Sequence, residues 1–268
     1  MKTNFKLFFT IFTITVFLLS FSSCNGNKTD NNEENTSDST KHAQTHEVHW
    51  TYQGENGPEH WAEIVPNCNC GGLAQSPIDI GGDIIDVDLI ELKTDYQTDS
   101  IDVINNGHTV QLNYQSGKFI FADEVYNLTQ FHFHTASEHT LNGVQFPMEA
   151  HLVHLTTDNK IAVIGIWFKE GAENILLKKI IDKIPDQADE TFKETLQIDI
   201  KNLFPVNKSY YHYVGSLTTP PCTEGVNWFV MKNPCEASKY QIEILKNSMP
   251  ANNFRPVQDL NNRKIEDF

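Results

Sequence analysis

The segment Gln130-Phe131-His132-Phe133-His134 constrains the fold of this chain more than any other. Along an extended strand, alternate side chains share a face. Gln130, His132 and His134 then point one way, and Phe131 and Phe133 the other. The two rings need an apolar layer to pack into, and the two imidazoles need polar company on the opposite side. Glu149-Ala150-His151-Leu152-Val153 repeats the pattern, with Glu149, His151 and Val153 on one face. If these strands are neighbours, three imidazoles converge on one point.

Further β signals surround this pair: Ile101–Ile104, Thr109–Tyr114, Lys118–Phe121, Ile161–Phe168 and Trp228–Met231. Turn residues separate them at Asn105-Asn106-Gly107, Ser116-Gly117 and Asp158-Asn159. Glu173 to Ile184 has helical spacing of apolar residues and stops before Pro185. The reading is a mainly β protein with few helices. From Trp50 onward there is no internal repeat and no second linker, so residues 48–268 are expected to form one domain.

The amino-terminal part reads differently. Lys2 and Lys6 precede an apolar run, Leu7 to Phe21, too short for a comfortable membrane span. Phe21-Ser22-Ser23-Cys24 resembles a bacterial lipoprotein cleavage box, although Phe is unusual at its first position. Residues 1–23 are read as a signal peptide and Cys24 as the lipidated first residue. An ordinary signal peptide cut nearby and a retained anchor helix remain open. Residues 24–47 are almost without apolar side chains and read as a disordered tether. His42, His46 and His49 at its end are read as solvated linker residues. The expected location is the periplasm or cell envelope, with membrane attachment only through the lipid on Cys24.

The full chain carries a formal net charge of -15. Residues 1–23 hold two Lys and no acid, so removing them makes the balance more acidic still. Such a surface repels phosphate backbones, which argues against a nucleic-acid partner.

Three His with an open fourth position describe a catalytic zinc site, because structural sites are usually closed by four ligands. Imidazole also suits copper, nickel and iron, so ligand type alone does not select zinc. A metal-bound His normally donates its second ring N–H to an acceptor that fixes its tautomer. Gln130 and Glu149 are placed to accept on their own strands.

The chain resembles the α-carbonic anhydrase family over nearly all of 48–268. The resemblance is carried in order by His49-Trp50, Asn56-Gly57-Pro58-Glu59-His60-Trp61, Gln75-Ser76-Pro77-Ile78-Asp79-Ile80 and Asn105-Asn106-Gly107-His108. It continues through the two His-bearing strands, Ser137-Glu138-His139, Gly215-Ser216-Leu217-Thr218-Thr219-Pro220-Pro221 and Asn253-Phe254-Arg255-Pro256-Val257-Gln258. The resemblance implies a single domain around a large, mostly antiparallel, twisted sheet with a few short peripheral helices. It implies one Zn2+ per chain, held by His132, His134 and His151, with Gln130, Glu149 and the backbone of Asn253 as acceptors behind them. The implied reaction is reversible hydration of carbon dioxide to bicarbonate and a proton, by attack of zinc-bound hydroxide.

The same resemblance assigns further roles. Thr218 orients the hydroxide and Glu138 accepts the Thr218 proton. His108 is the proton shuttle, for which a role-free turn histidine is the alternative. Val153, Val163, Leu217, Thr219 and Trp228 form the substrate pocket, and Tyr52, Asn106 and Gln111 stand along the solvent chain, with Gln111 where the family often has Asn. His139 is structural, and His154 faces away from the metal by strand parity. Cys70 and Cys222 match a disulfide of exported relatives. A second bridge between Cys68 and Cys235, and a metal knuckle at Cys68-Asn69-Cys70, stay open. Carbon dioxide and bicarbonate are the implied partners, and a homodimer is left open. A binding module that has lost catalysis is the main alternative function, but such relatives typically lose a zinc histidine. Hydrolysis of activated esters is a side activity that the same site allows.

Overall fold

The computed structural model describes residues 49–88 and 90–268, apart from the side chains of 193–195. The expected signal peptide 1–23, the tether 24–47 and Cys24 lie outside the described residues. Among the described residues, a 13-stranded sheet dominates. Its main path runs through Glu190–Ile198, Asp99–Asn105, Val110–Asn113, Glu124–His134 and Met148–Leu155. It then continues through Ile161–Glu170, Glu224–Met231, Tyr210–Ser216, Ile265–Asp267 and Ile84–Asp86. Most neighbours are antiparallel. Ile161–Glu170 and Glu224–Met231 pair in parallel, as do Ile265–Asp267 and Ile84–Asp86.

Alternation along the strands sorts the two faces. Phe131, Phe133, Ala150, Leu152, Ile164, Ile166 and Phe229 join the larger apolar core. Each fully buried ring there contributes about 1.5–3 kcal/mol of transfer free energy. The short helix Ile175–Ile181 supplies Leu176, Leu177 and Ile180 to the same core. It is shorter than the expected Glu173–Ile184. Asn174 stops it at the front, because its side chain accepts from the Leu176 and Leu177 N–H groups. A second helix, Lys239–Asn247, starts at a capping box made by Ser238 and Gln241. Buried Gln241 also accepts from the Asn174 N–H at 2.9 Å and donates to the Asn174 carbonyl at 2.8 Å, which ties the two helix starts together.

The opposite face carries a smaller core of Val163, Trp167, Tyr213, Trp228 and Val230, packed against Ile78 and Ile80. The histidines emerge on this face. Register places them: His151 lies opposite His132, Glu149 opposite His134, and Val153 opposite Gln130. Next door, Gly165 lies opposite His151 and Val163 opposite Val153. Among the described residues, no helix is long and apolar enough to cross a membrane.

Candidate metal centre and active site

The imidazoles of His132, His134 and His151 come together with at least one ring nitrogen from each within 4.8 Å of the others. Their other nitrogens are all taken. His132 Nδ1 faces Gln130 Oε1 at 2.8 Å, His134 Nδ1 faces the Asn253 carbonyl at 2.6 Å, and His151 Nε2 faces Glu149 Oε1 at 3.0 Å. These oxygens are acceptors, so each holds a proton on the nitrogen it faces. The lone pairs left over, on His132 Nε2, His134 Nε2 and His151 Nδ1, belong to the nitrogens on the far side of each ring. His134 Nε2 is buried and has no hydrogen-bond partner. A polar atom in that state costs about 1–3 kcal/mol unless something occupies its lone pair. Burial, followed by the charges of the neighbouring rings, pushes His132 well below its ordinary pKa. Burial also lowers His134, against the pull of Glu138. Neutral rings with free lone pairs are what a divalent metal requires, so the donor set fits one ion.

Glu149 is fully buried and accepts four hydrogen bonds. Its Oε1 takes His151 Nε2 and His139 Nδ1, and its Oε2 takes the backbone N–H groups of Glu138 and His139, each at 2.9 Å. Burial works to raise this carboxyl, but the His139 and His151 rings overcome it and hold it well below the usual carboxylate range. His139 passes the network on, with its Nε2 2.6 Å from the Tyr213 hydroxyl, which is 2.8 Å from Ser76 Oγ. Tyr213 was not among the expected site residues, because in the sequence it reads as one more core aromatic. Gly165 was also missed. A Cβ there would lie 2.9 Å from Glu149 Oε1, so the missing side chain lets the carboxylate sit where it does.

Glu138 is buried beside the cluster. Its Oε1 accepts the Arg255 backbone N–H at 2.8 Å. Its Oε2 has no hydrogen-bond partner, so the expected bond from Thr218 is not made in this structure. Oε2 lies 3.5 Å from His134 Nε2 and 3.7 Å from His151 Nδ1. The Arg255 guanidinium is held by Gln75 Oε1, the Ser76 carbonyl and the Cys70 carbonyl, and burial lowers its pKa to about 10. His154 turns to the other core, with its Nε2 2.9 Å from the Tyr96 hydroxyl, and burial pushes its pKa down to about 3.

Two clefts meet at the cluster. One, about 310 Å³, is lined by the apolar Val153, Leu155, Ile161, Val163, Leu217 and Trp228 together with Gln130, Thr218, Thr219, His132 and His151. The other, about 130 Å³, is lined by Trp50, Tyr52, Asn106, His108 and Gln111, and shares Gln130, His132 and Thr219 with the first. His132 therefore stands between an apolar wall and a polar one. His108 stacks on Trp50 with ring centres 3.8 Å apart, and its backbone N–H donates to Asn106 Oδ1 at 3.0 Å. Burial, then the nearby His49, lowers the His108 pKa. Asn106 Nδ2 donates to Gln111 Oε1 at 3.2 Å.

Residues 56–268 match the family model for eukaryotic-type carbonic anhydrase. The chain belongs to that family. A carbonic anhydrase of Klebsiella pneumoniae is 42% identical over 223 residues, covering 81% of this chain and 90% of the relative. One from a Nostoc species is 43% identical over 237 residues, covering 84% and 88%. The solved α-carbonic anhydrase of Thermovibrio ammonificans, in complex with the inhibitor sulfanilamide, superposes with a TM-score of 0.79 at 44% identity. That match covers 81% of this chain and 98% of the other. The protein is therefore a carbonic anhydrase, an enzyme that hydrates carbon dioxide.

The cysteines of this carbonic anhydrase differ in part from expectation. Cys70 Sγ is within bonding reach of both Cys222 and Cys68. Cys235 is free, so it does not bridge to Cys68. Its thiol donates to the Leu203 carbonyl at 3.0 Å and packs against the larger core, whereas Cys68 packs with Trp61 and Cys222 in a separate cluster.

Proposed function

We propose that this enzyme binds one zinc ion through His132 Nε2, His134 Nε2 and His151 Nδ1, and hydrates carbon dioxide in the apolar cleft beside it. The observation that carries this reading is the set of acceptors behind the imidazoles. Gln130, the Asn253 carbonyl and Glu149 leave those three nitrogens as the free lone pairs. A zinc ion held there supplies a water ligand acidified into the neutral range, a general property of carbonic anhydrases rather than a result of this structure.

The protein's own residues do the rest. Val153, Val163, Leu217 and Trp228 offer a small dry wall to a substrate without charge or dipole, and proximity replaces strong binding. Glu138 Oε2 is left to accept the Thr218 hydroxyl proton. Thr218 Oγ is then an acceptor toward the reacting water and fixes its direction. His108 takes the released proton on its imidazole and passes it to buffer, and burial, which lowers its pKa, favours that release. Tyr52, Asn106 and Gln111 line the polar cleft between His132 and His108 and hold solvent there. Lipidation at Cys24 would tether the enzyme outside the cytoplasm. Detergent partitioning of the native chain against Cys24→Ser tests that, and equal solubility in water would end it.

Stopped-flow hydration of carbon dioxide, before and after treatment with a zinc chelator, tests the main proposal. Activity should vanish with the metal and return with added zinc. An unchanged rate in metal-free protein would sink it. His108→Ala should slow turnover mainly in weak buffer. A defect that concentrated imidazole buffer leaves in place would count against the shuttle.

A further inference from the structure

Away from the histidines, three sulfur atoms gather at one place. Cys68, Cys70 and Cys222 lie with their sulfurs all within 4.8 Å of one another. The Cys70 Cα is 5.3 Å from that of Cys68 and 4.9 Å from that of Cys222. Both separations fall in the range a disulfide spans, so the backbone is already placed for either pairing. One sulfur makes one disulfide bond. A single bridge therefore leaves a third cysteine as a thiol, held beside that bridge by the fold.

We propose that Cys68, Cys70 and Cys222 form a thiol–disulfide exchange centre, in which one bridge moves between Cys70–Cys222 and Cys68–Cys70. The step is redox neutral. Cys68 loses its proton to solvent, and its thiolate attacks Cys70 Sγ. The Cys68–Cys70 bond forms as the Cys70–Cys222 bond breaks. The electron pair leaves on Cys222 Sγ, which takes up a proton. No outside oxidant or reductant is consumed.

The surroundings favour Cys68 as the attacking group. The Cys70 backbone N–H points at Cys68 Sγ at 3.2 Å, and a donor there stabilises a thiolate. Cys68 is partly exposed, whereas Cys70 and Cys222 are buried. The Cys68 and Cys222 sulfurs stand 3.8 Å apart across Cys70.

The exchange also has a defined place. The Cys222 N–H donates to the Thr219 carbonyl at 2.8 Å, so this cysteine closes the turn that follows Thr218 and Thr219. The Asn69 N–H donates to the Pro221 carbonyl at 2.9 Å, and Arg255 donates to the Cys70 carbonyl at 2.7 Å. Moving the bridge to Cys68 removes the covalent tie to this loop and leaves the hydrogen bonds. Each state leaves one thiol, the partly exposed Cys68 in one and the buried Cys222 in the other.

The test reads sulfur pairing and needs no catalytic activity. The full chain, purified without reductant, is held at several pH values between 6 and 8.5, quenched in acid, unfolded and alkylated in acid. Non-reducing peptide mapping then separates the pairings. Two species should appear, one joining Cys70 to Cys222 with Cys68 alkylated, the other closing Cys68 to Cys70 with Cys222 alkylated. Approach to their final ratio should speed up about tenfold per pH unit below the thiol pKa. Cys68→Ser should leave only the Cys70–Cys222 link and abolish Cys222 alkylation. A single pairing at every pH, with the same cysteine alkylated throughout, would overturn the proposal. So would three alkylated sulfurs accompanied by a stoichiometric metal ion.

Discussion

Replacing Glu149 with Gln changes one oxygen to an NH2 group and leaves the volume almost untouched. Four donors converge on the native carboxylate. Two of them, the backbone N–H groups of Glu138 and His139, have no other protonation state. The Gln carbonyl oxygen must therefore face them. The new NH2 group then faces His151 Nε2 and His139 Nδ1, and each ring nitrogen must turn from donor to acceptor. For His151 this moves the ring proton to Nδ1, the nitrogen that faces the metal cluster. Folding survives, because each hydrogen bond finds a partner, but the third lone pair is lost. Zinc binding has to reverse that tautomer against the amide. Disturbing an acceptor behind a metal ligand typically costs 10–100-fold in affinity, or about 1.4–2.7 kcal/mol. Glu149→Ala is a harsher change. It strands four buried donors at about 1–3 kcal/mol each, a total comparable to the stability of an ordinary domain. The assay is zinc affinity by competition with a chromophoric chelator, alongside thermal unfolding of the metal-free proteins. Glu149→Gln should unfold close to the native temperature and bind zinc at least tenfold more weakly. Native affinity at native stability would refute the tautomer argument.

Three further outcomes follow from the same geometry. Gly165→Ala pushes a Cβ against the locked Glu149 Oε1, so it should weaken zinc binding with little change in fold, measured by the same competition. Buried His154 has a folded pKa of about 3, so between that value and ~6.5 the unfolded chain binds the extra proton and stability is lost as pH falls. By pH 5 this amounts to about 2 kcal/mol, and His154→Gln should lose that much less between pH 7 and pH 5 in urea unfolding; equal losses would contradict it. Val153→Phe fills part of the apolar cleft, so kcat/KM for carbon dioxide should fall while zinc content stays at one per chain.

Strand parity made the site legible, since the faces of Gln130–His134 and Glu149–Val153 depend only on alternation. The structure adds the register that sets His151 opposite His132. The edge strand Glu190–Ile198 was not read, because its polar composition suits an exposed edge and breaks the apolar alternation. Tyr210–Ser216 hid for a related reason. Its aromatic run serves both cores, Tyr211 and Tyr213 the smaller and Tyr210 the larger, so no polar face marks the alternation. The helix Lys239–Asn247 did carry a signal, Ser238 followed three residues later by Gln241. Long-range polar contacts were out of reach. Nothing local in Tyr213 says that its hydroxyl meets His139, or in Arg255 that its N–H holds Glu138. The open Oε2 of Glu138, 3.5 Å from His134 Nε2 and 3.7 Å from His151 Nδ1, likewise depends on the assembled fold.

The most direct test is crystallographic: anomalous scattering collected above and below the zinc absorption edge on protein loaded with the metal. One peak per chain is expected, about 2.0–2.1 Å from His132 Nε2, His134 Nε2 and His151 Nδ1, with no protein atom as fourth ligand. A peak at Cys68, Cys70 and Cys222 instead, or none among the three histidines, would contradict the assignment of this site as the zinc centre.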